Sequence, residues 1–315
     1  MIIAMMFPGQ GFYSPKSIYQ LNLSFPIIKQ TFIEASEYAG INLWNLIQNN
    51  VNKNFKINNP VMNLTISIAI YNLWKKIKGI IPTYMIGHSL GEYSALVCAQ
   101  SISFADAIKI IIKRNELMLS SAKKKPEMMQ AIIGLNKKKV LQACNKINNH
   151  NNVVSIASIN SSKQIIISGN KSAVIQTVNL CQKYGSCNSI QLPIKIASHS
   201  ILMYKAAKKF KMFIHDKKIC TPICKVINPL TISCYLNSTD IKNALVKQLI
   251  SNINWKNSII YLQEKKKVSL FLEISSNCVL TQLNRSITTI TTLPLNNYSF
   301  FIKAMNNIKI KKKLL

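Results

Sequence analysis

The chain has 315 residues, 48% of them apolar, which is enough for one large core or a large core and a small one. Lysines and arginines number 40 against 10 acids, a formal charge of +30, so the surface attracts acidic partners at long range. No stretch approaches the length of a membrane span, and the 8 cysteines include no Cys-x-x-Cys pair; reduced, mostly buried thiols in a cytoplasmic protein, with no metal site, are expected.

Met1 to Phe7 is apolar without a basic leader, and Pro8-Gly9-Gln10-Gly11 ends it at once. Residues 2–7 therefore read as a first strand and not as a signal peptide. Helical patterns follow at 26–39 and 43–48. Asn59-Pro60 offers an N-cap and a first helical position for a helix reaching about residue 78. A strand is expected at 83–87 and a helix at 90–99, and Ser103 caps a further helix running to about 121. The stretch 122–127 (Ala-Lys-Lys-Lys-Pro-Glu) marks a boundary. Beyond it the pattern is strand (128–134), helix (136–147), strand (153–158), strand (164–168), helix (171–184) and strand (187–192). This β-α-β-β-α-β order describes a ferredoxin-like unit. Helices near 199–213, 238–251 and 254–264, a strand at 268–274 and a helix from 278 return to the first unit. The basic tail from Lys309 is expected to fray. The expected organisation is a discontinuous large α/β domain, 1–125 with 198–315, interrupted by a small α+β domain at 126–197.

Residues 87–93 carry the chemistry. Gly87-His88-Ser89-Leu90-Gly91 follows an apolar strand and precedes a helix, the setting of a nucleophile elbow, which makes the large domain α/β-hydrolase-like with a parallel sheet. The turn needs a strained backbone at Ser89 and no bulk two residues to either side. It also aims the first helical amides, led by Leu90, at any oxyanion formed there.

A serine nucleophile needs a base, and the candidates are His88, His150, His199 and His215. His88 adjoins the serine on a tight turn, so its side chain diverges from it. His150 lies in an asparagine-rich turn, and His215 ends a lysine-rich helix. His199, in Ala197-Ser198-His199-Ser200, remains as the base. The third member is harder to place. Glu92 lies within the elbow, too close along the chain to reach behind the imidazole, Asp106 opens a helix and Glu127 sits at the domain junction; Glu116 stays open as a candidate, though it points away from Arg114 on their shared helix. A carbonyl oxygen can also hold an imidazole in the useful tautomer. Arg114 is one of two arginines, on a stripe with Ala107, Ile110, Ile111, Leu117 and Met118. A guanidinium on an apolar face needs an anion, either a bidentate substrate carboxylate or an internal partner such as Glu92.

Together these residues resemble the malonyl-CoA:acyl-carrier-protein transacylases. The resemblance extends to about residue 290. It rests on Phe7-Pro8-Gly9-Gln10-Gly11, the elbow with Glu92-Tyr93, Arg114 with Met118, Ala131 to Leu135, Asn160-Ser161, Ser198-His199 with Leu202-Met203, and Leu245 to Leu249. It implies that Ser89 attacks a thioester while His199 takes its proton, with the Gln248 carbonyl orienting His199. Gln10 and Leu90 would hold the oxyanion, and Arg114, Met118 and Asn160 would bind substrate. It further implies malonyl-CoA as donor, an acidic acyl carrier protein as partner, no cofactor beyond coenzyme A within the donor, a monomer, and an active site in the gorge between domains. Phe12-Tyr13, Asn58-Asn59-Pro60, Pro229 after Asn228, and Ser275-Ser276-Asn277 in place of a Gly-Pro-Gly turn depart from the pattern.

Two other readings stand beside it. A serine esterase or thioesterase would need an acidic third residue. A non-catalytic basic binding protein would not depend on Ser89. Specific nucleic-acid binding is not expected. The lysines are scattered, with clusters only at 123–125, 137–139, 265–267 and 311–313, and no aromatic side chains interleave them. Lysine, isoleucine and asparagine share A/T-rich codons, which gives the charge an origin in base composition.

Overall fold

Polar residues placed just before apolar-periodic runs start many of the helices. The computed structural model describes residues 1–11, 13–51, 59–122 and 125–313, with side chains up to 309. Phe12, Asn58, Lys123, Lys124, the side chains of 311–313 and the last two residues, named above, lie outside it. β1 (Ile3–Phe7) leads to α1 (Pro15–Ser24), where the Ser14 hydroxyl accepts from the Ser17 amide. α2 (Ile27–Ala39) and α3 (Leu43–Gln48) follow. α4 (Pro60–Lys76) starts as expected, with the Asn59 side chain accepting from Val61 and Met62. After β2 (Tyr84–Gly87) come α5 (Gly91–Cys98) and α6 (Phe104–Ser121), the latter capped by Ser103.

The middle of the chain forms a sheet of its own. β3 (Glu127–Ile133), α7 (Lys137–Ile147), β4 (Val154–Ile159), β5 (Gln164–Asn170), α8 (Lys171–Lys183) and β6 (Asn188–Gln191) follow the β-α-β-β-α-β order. Its strands are antiparallel in the order β4-β5-β3-β6. A single 3-10 turn (Ile201–Met203) then enters α9 (Tyr204–His215), followed by β7 (Lys225–Asn228) and β8 (Ser233–Cys234). α10 (Ser238–Lys247), α11 (Trp255–Glu264), β9 (Leu270–Glu273), α12 (Val279–Asn284), β10 (Thr292–Pro294) and α13 (Tyr298–Lys313) complete the chain.

The large sheet runs β10-β9-β1-β2-β7-β8, parallel throughout except for the antiparallel last pair. Its central strands are buried on both faces, so they read as apolar runs without alternation. The small sheet touches the segment before α11 where Ile159 donates to the Ile253 carbonyl (2.8 Å) and Ile253 donates to that of Ala157 (2.9 Å), at the register break in β4. Glu127 accepts from the Ala197 amide where the chain passes between the two sheets.

Three expectations need correcting. The helix expected over 238–251 stops at Lys247, and the chain turns through Gln248 to Ser251. The C-terminal segment expected to fray from Lys309 stays helical to Lys313, because Phe301, Ala304 and Ile308 on one face of α13 are buried. Short elements went unread: α1, the β7–β8 pair and β10. No helix among the described residues is long and apolar enough to cross a membrane.

The elbow depends on two bare α-carbons. A Cβ on Gly91 would run into the Phe7 and Pro8 carbonyls, and one on Gly87 into the backbone of Glu92. Backbone atoms cannot yield as a flexible side chain can. Gly91→Ala is therefore expected to destabilise the fold by about 1–3 kcal/mol. Urea unfolding should show the lowered midpoint; an unchanged midpoint would mean the β1 end can move aside.

Candidate active site

The active cleft is assembled at the C-terminal ends of β1 and β2, where a parallel sheet leaves its crevice. The His88 amide donates to the Phe7 carbonyl (2.8 Å), fixing the start of the elbow. Ser89 sits in the left-handed region (φ 53), an uncommon conformation for a residue with a side chain. The amides of Gly91 and Glu92 are engaged by the His88 and Ser89 carbonyls at 3.0 Å each. The Leu90 N–H donates to no hydrogen bond among the described residues, and neither does the Gln10 N–H. Gly9 brings the Gln10 loop against the elbow: a Cβ there would lie 2.7 Å from the His88 carbonyl oxygen and 3.5 Å from Ser89 Cβ. Two free amides thus flank the serine, the requirement for an oxyanion hole.

His199 also has a left-handed backbone (φ 62) and is 5% exposed. Its Nε2 lies 2.7 Å from Ser89 Oγ, and its Nδ1 lies 2.7 Å from the Gln248 carbonyl oxygen. A carbonyl can only accept, so Nδ1 carries the proton and Nε2 is left to accept from the Ser89 hydroxyl. Gln248 can serve because it caps the C-terminus of α10, where a carbonyl has no helical donor. Burial pushes the His199 pKa down to about 3, with the Arg114 charge acting in the same direction.

The Gln248 side chain is a hub. Its Nε2 donates to the Ser89 carbonyl (3.1 Å) and to the Glu92 carboxylate, and its Oε1 accepts from Arg114 Nη2 (3.3 Å). Glu92 is fully buried and also accepts from the Tyr235 hydroxyl. Burial raises its pKa to about 7 against those hydrogen bonds and the Arg114 charge. Glu92, set aside above as too near the serine along the chain, therefore reaches the imidazole indirectly, through Gln248. Glu92 and Tyr235 were missed as site residues. The available signal was a lone acid in a helix whose other residues are small or apolar.

Arg114 is 5% exposed and opens on the cleft. Its Nε has no hydrogen-bond partner, and the Tyr93 ring lies 5.9 Å from its guanidinium carbon. The ion pairs among the described residues are Lys113–Glu116 and His215–Asp216, so the internal Arg114–Glu92 pair considered above does not form. Glu92 instead turns to Tyr235 and Gln248. The cleft holds about 480 Å³. Met129, Ile166, Ile190, Leu192 and Ile194 give it apolar lining from the 126–197 segment, and the 275–286 segment adds both polar (Ser275, Gln282) and apolar (Leu280, Leu283) lining.

The remaining expected residues fall differently. Met118, one turn after Arg114 on the same side of α6, is buried in the large core and is not among the residues lining the cleft. Asn160 lines the cleft, but its Oδ1 accepts from Ser158 Oγ (2.6 Å) and pairs with His88 Nε2 (3.0 Å), and its Nδ2 donates to Gln164 (3.1 Å). It joins the elbow to the small sheet more than it offers free polar atoms to a ligand. Burial lowers the His88 pKa, so the ring stays neutral in that network. His150 and His215 are exposed, Asp106 caps α6 with Ser103, and Glu116 pairs with Lys113.

The comparisons agree with one another. The family model for the acyl transferase domain matches residues 33–287. A relative from Buchnera aphidicola (subsp. Schizaphis graminum), a malonyl CoA-acyl carrier protein transacylase, is 43% identical over 314 residues, covering 97% of this chain and 98% of its own. The solved transacylase of the same name from Coxiella burnetii is 31% identical, with a TM-score of 0.91 and 97% of each chain covered. A malonyl-transacylase solved in complex with its type II PKS acyl-carrier protein is 32% identical, with a TM-score of 0.91, 98% of this chain and 100% of that one covered.

The pKa direction at His199 has a kinetic consequence. A histidine whose pKa is lowered to about 3 holds its basic form throughout the neutral range. Covalent modification of Ser89 by an organophosphonate ester should proceed at a nearly constant rate between about pH 5 and pH 8. A rate that instead falls on acidification with a midpoint near an ordinary histidine's, about 6.5, would mean that His199 is solvated.

Proposed function

The chain belongs to the acyl transferase domain family, and from that premise we propose that it moves a malonyl group from malonyl-CoA to the pantetheine thiol of an acyl carrier protein, supplying fatty-acid synthesis. Arg114 carries this reading. A buried guanidinium with an unpartnered Nε, facing a cleft that also holds an activated serine, suits an acyl group ending in a carboxylate. Acetyl would leave that cation unpaired, and unpaired buried charge is costly.

The steps follow from the hydrogen-bond order. Ser89 Oγ attacks the thioester carbonyl as its proton passes to His199 Nε2, 2.7 Å away. The Gln248 carbonyl on Nδ1 favours the imidazolium that forms. The Gln10 and Leu90 amides hold the oxyanion. Collapse breaks the carbon–sulfur bond, and the departing coenzyme A thiolate takes the proton from His199. The carrier's pantetheine thiol then repeats these steps on the acyl-serine in reverse, returning Ser89 to its hydroxyl form. No cofactor enters either half. The apolar wall formed by the 126–197 insert limits water at the acyl-enzyme.

Acyl carriers of acidic surface fit a chain of charge +30. The same reading gives a cytoplasmic setting, where such carriers and coenzyme A thioesters meet. The esterase alternative is disfavoured, since a carbonyl occupies the place behind His199 that an acid would take.

Incubation with malonyl-CoA should add one malonyl group at Ser89, visible by intact mass and peptide mapping. Unmodified protein after prolonged incubation would contradict the reading. Arg114→Ala should lower the preference for malonyl over acetyl by at least about a hundredfold, since the wild-type site is built around a carboxylate. An unchanged preference in a competition assay would remove Arg114 from that role.

A further inference from the structure

The Gln10 amide lies between the end of β1 and the start of α1, where the described residues 8–11 and 13–14 have no secondary structure of their own. Its position therefore depends on what grips that segment. Gly9 abuts the elbow, as described. Further along, the Gly11 carbonyl accepts from Asn63 Nδ2 on α4 (3.3 Å). At the far end, the Ser14 amide donates to the hydroxyl of Ser276 (3.0 Å), a residue 262 positions later and 2% exposed.

Ser276 sits on the turn directly after the β9 strand, beside the end of β1. That turn is itself anchored: the Ile274 amide donates to the Met6 carbonyl (2.9 Å), and the Ile274 carbonyl accepts from Ser67 Oγ (3.2 Å). Asn63 and Ser67 are one helical turn apart on α4, so one face of that helix grips both the Gln10 segment and the 274–277 turn. Ser275 and Asn277 face the cleft, whereas Ser276 does not line it and turns its hydroxyl to Ser14. A buried hydroxyl joining two segments without access to a ligand acts on the reaction only through what it holds.

We propose that Ser276 is a positioning residue for acyl transfer, its hydroxyl holding Ser14 at one end of the turn that carries Gln10 so that the Gln10 N–H stays on the oxyanion. The proposal rests on the reading of Gln10 as an oxyanion donor. An amide displaced from the developing charge loses stabilisation that exists only in the transition state.

The test is single-turnover acylation of Ser89 by malonyl-CoA in wild type, Ser276→Ala, Asn63→Ala and Ser276→Thr. Rates are taken from the serine that does acylate, so any loss of folded protein lowers the amplitude and not the rate. Removing an oxyanion donor outright costs about a hundredfold to a thousandfold, and loosening one should cost about tenfold. Ser276→Ala should therefore slow the maximal acylation rate about tenfold, with half-saturation by malonyl-CoA within about twofold of wild type. Ser276→Thr, which keeps the hydroxyl, should recover most of the rate, and Asn63→Ala should slow it in the same way. A Ser276→Ala rate equal to wild type, or a loss confined to half-saturation, would overturn the proposal. If wild type itself fails to acylate, the underlying functional reading fails instead.

Discussion

The cleft holds one buried charge, that of Arg114, which finds no counter-ion among the described residues. A guanidinium at 5% exposure is costly to keep where, among the described residues, its neighbours are the neutral side chains of Gln248 and Tyr93 and no ion pair forms. The cost is moderated by the Tyr93 ring and by Glu92 on the far side of Gln248. It is not removed, and on the proposed reading that residual need is what an acyl carboxylate would meet. The same charge depresses the basicity of His199 before any substrate arrives. On the proposed reading, a carboxylate docked on Arg114 would offset that influence, which is the smaller one beside burial, and the imidazole would become a stronger base when a carboxylated acyl group binds. Binding and chemistry would then be linked through one electrostatic field, and an acyl group lacking the carboxylate would lose on both counts.

Local backbone features supply the rest. Positive φ at Ser89 and His199 sets the two side chains proposed to react on strained turns, and the surrounding hydrogen bonds hold them there. Helix ends provide the free groups: an amide at Leu90 before α5, and a carbonyl at Gln248 after α10. Neither would be available in mid-helix. Gln248 then couples the parts, since its carbonyl orients the base while its amide side chain touches the Ser89 backbone, Glu92 and Arg114. A substitution there would disturb the nucleophile, the base and the cation together.

The elbow was legible because its chemistry is local. A strand, two glycines around Gly-His-Ser-Leu-Gly and a following helix all lie within fifteen residues or so, and backbone sterics leave few other solutions. The parallel core and the β-α-β-β-α-β segment were legible for the same reason: each helix and strand carries its own period and cap. What hid was whatever depends on partners far along the chain. Glu92 looked too close to the serine to help, and only the return of Gln248 and Tyr235 from residues beyond 230 gives its carboxylate a task. Met118 shares a helix stripe with Arg114, one turn away, yet one sits in the core and the other at the cleft, a difference along the stripe that periodicity alone does not resolve. β7, β8 and β10 have two to four residues each, and they are strands because a neighbouring strand is already in place.

The most direct measurement is a crystal structure of the acyl-enzyme trapped on Ser89 after reaction with malonyl-CoA. The account predicts the acyl carboxylate on the Arg114 guanidinium, including its otherwise unpartnered Nε, with the ester carbonyl oxygen between the Gln10 and Leu90 amides. An acyl-enzyme whose carboxylate points to solvent, leaving the guanidinium with the Gln248 side chain alone, would contradict it.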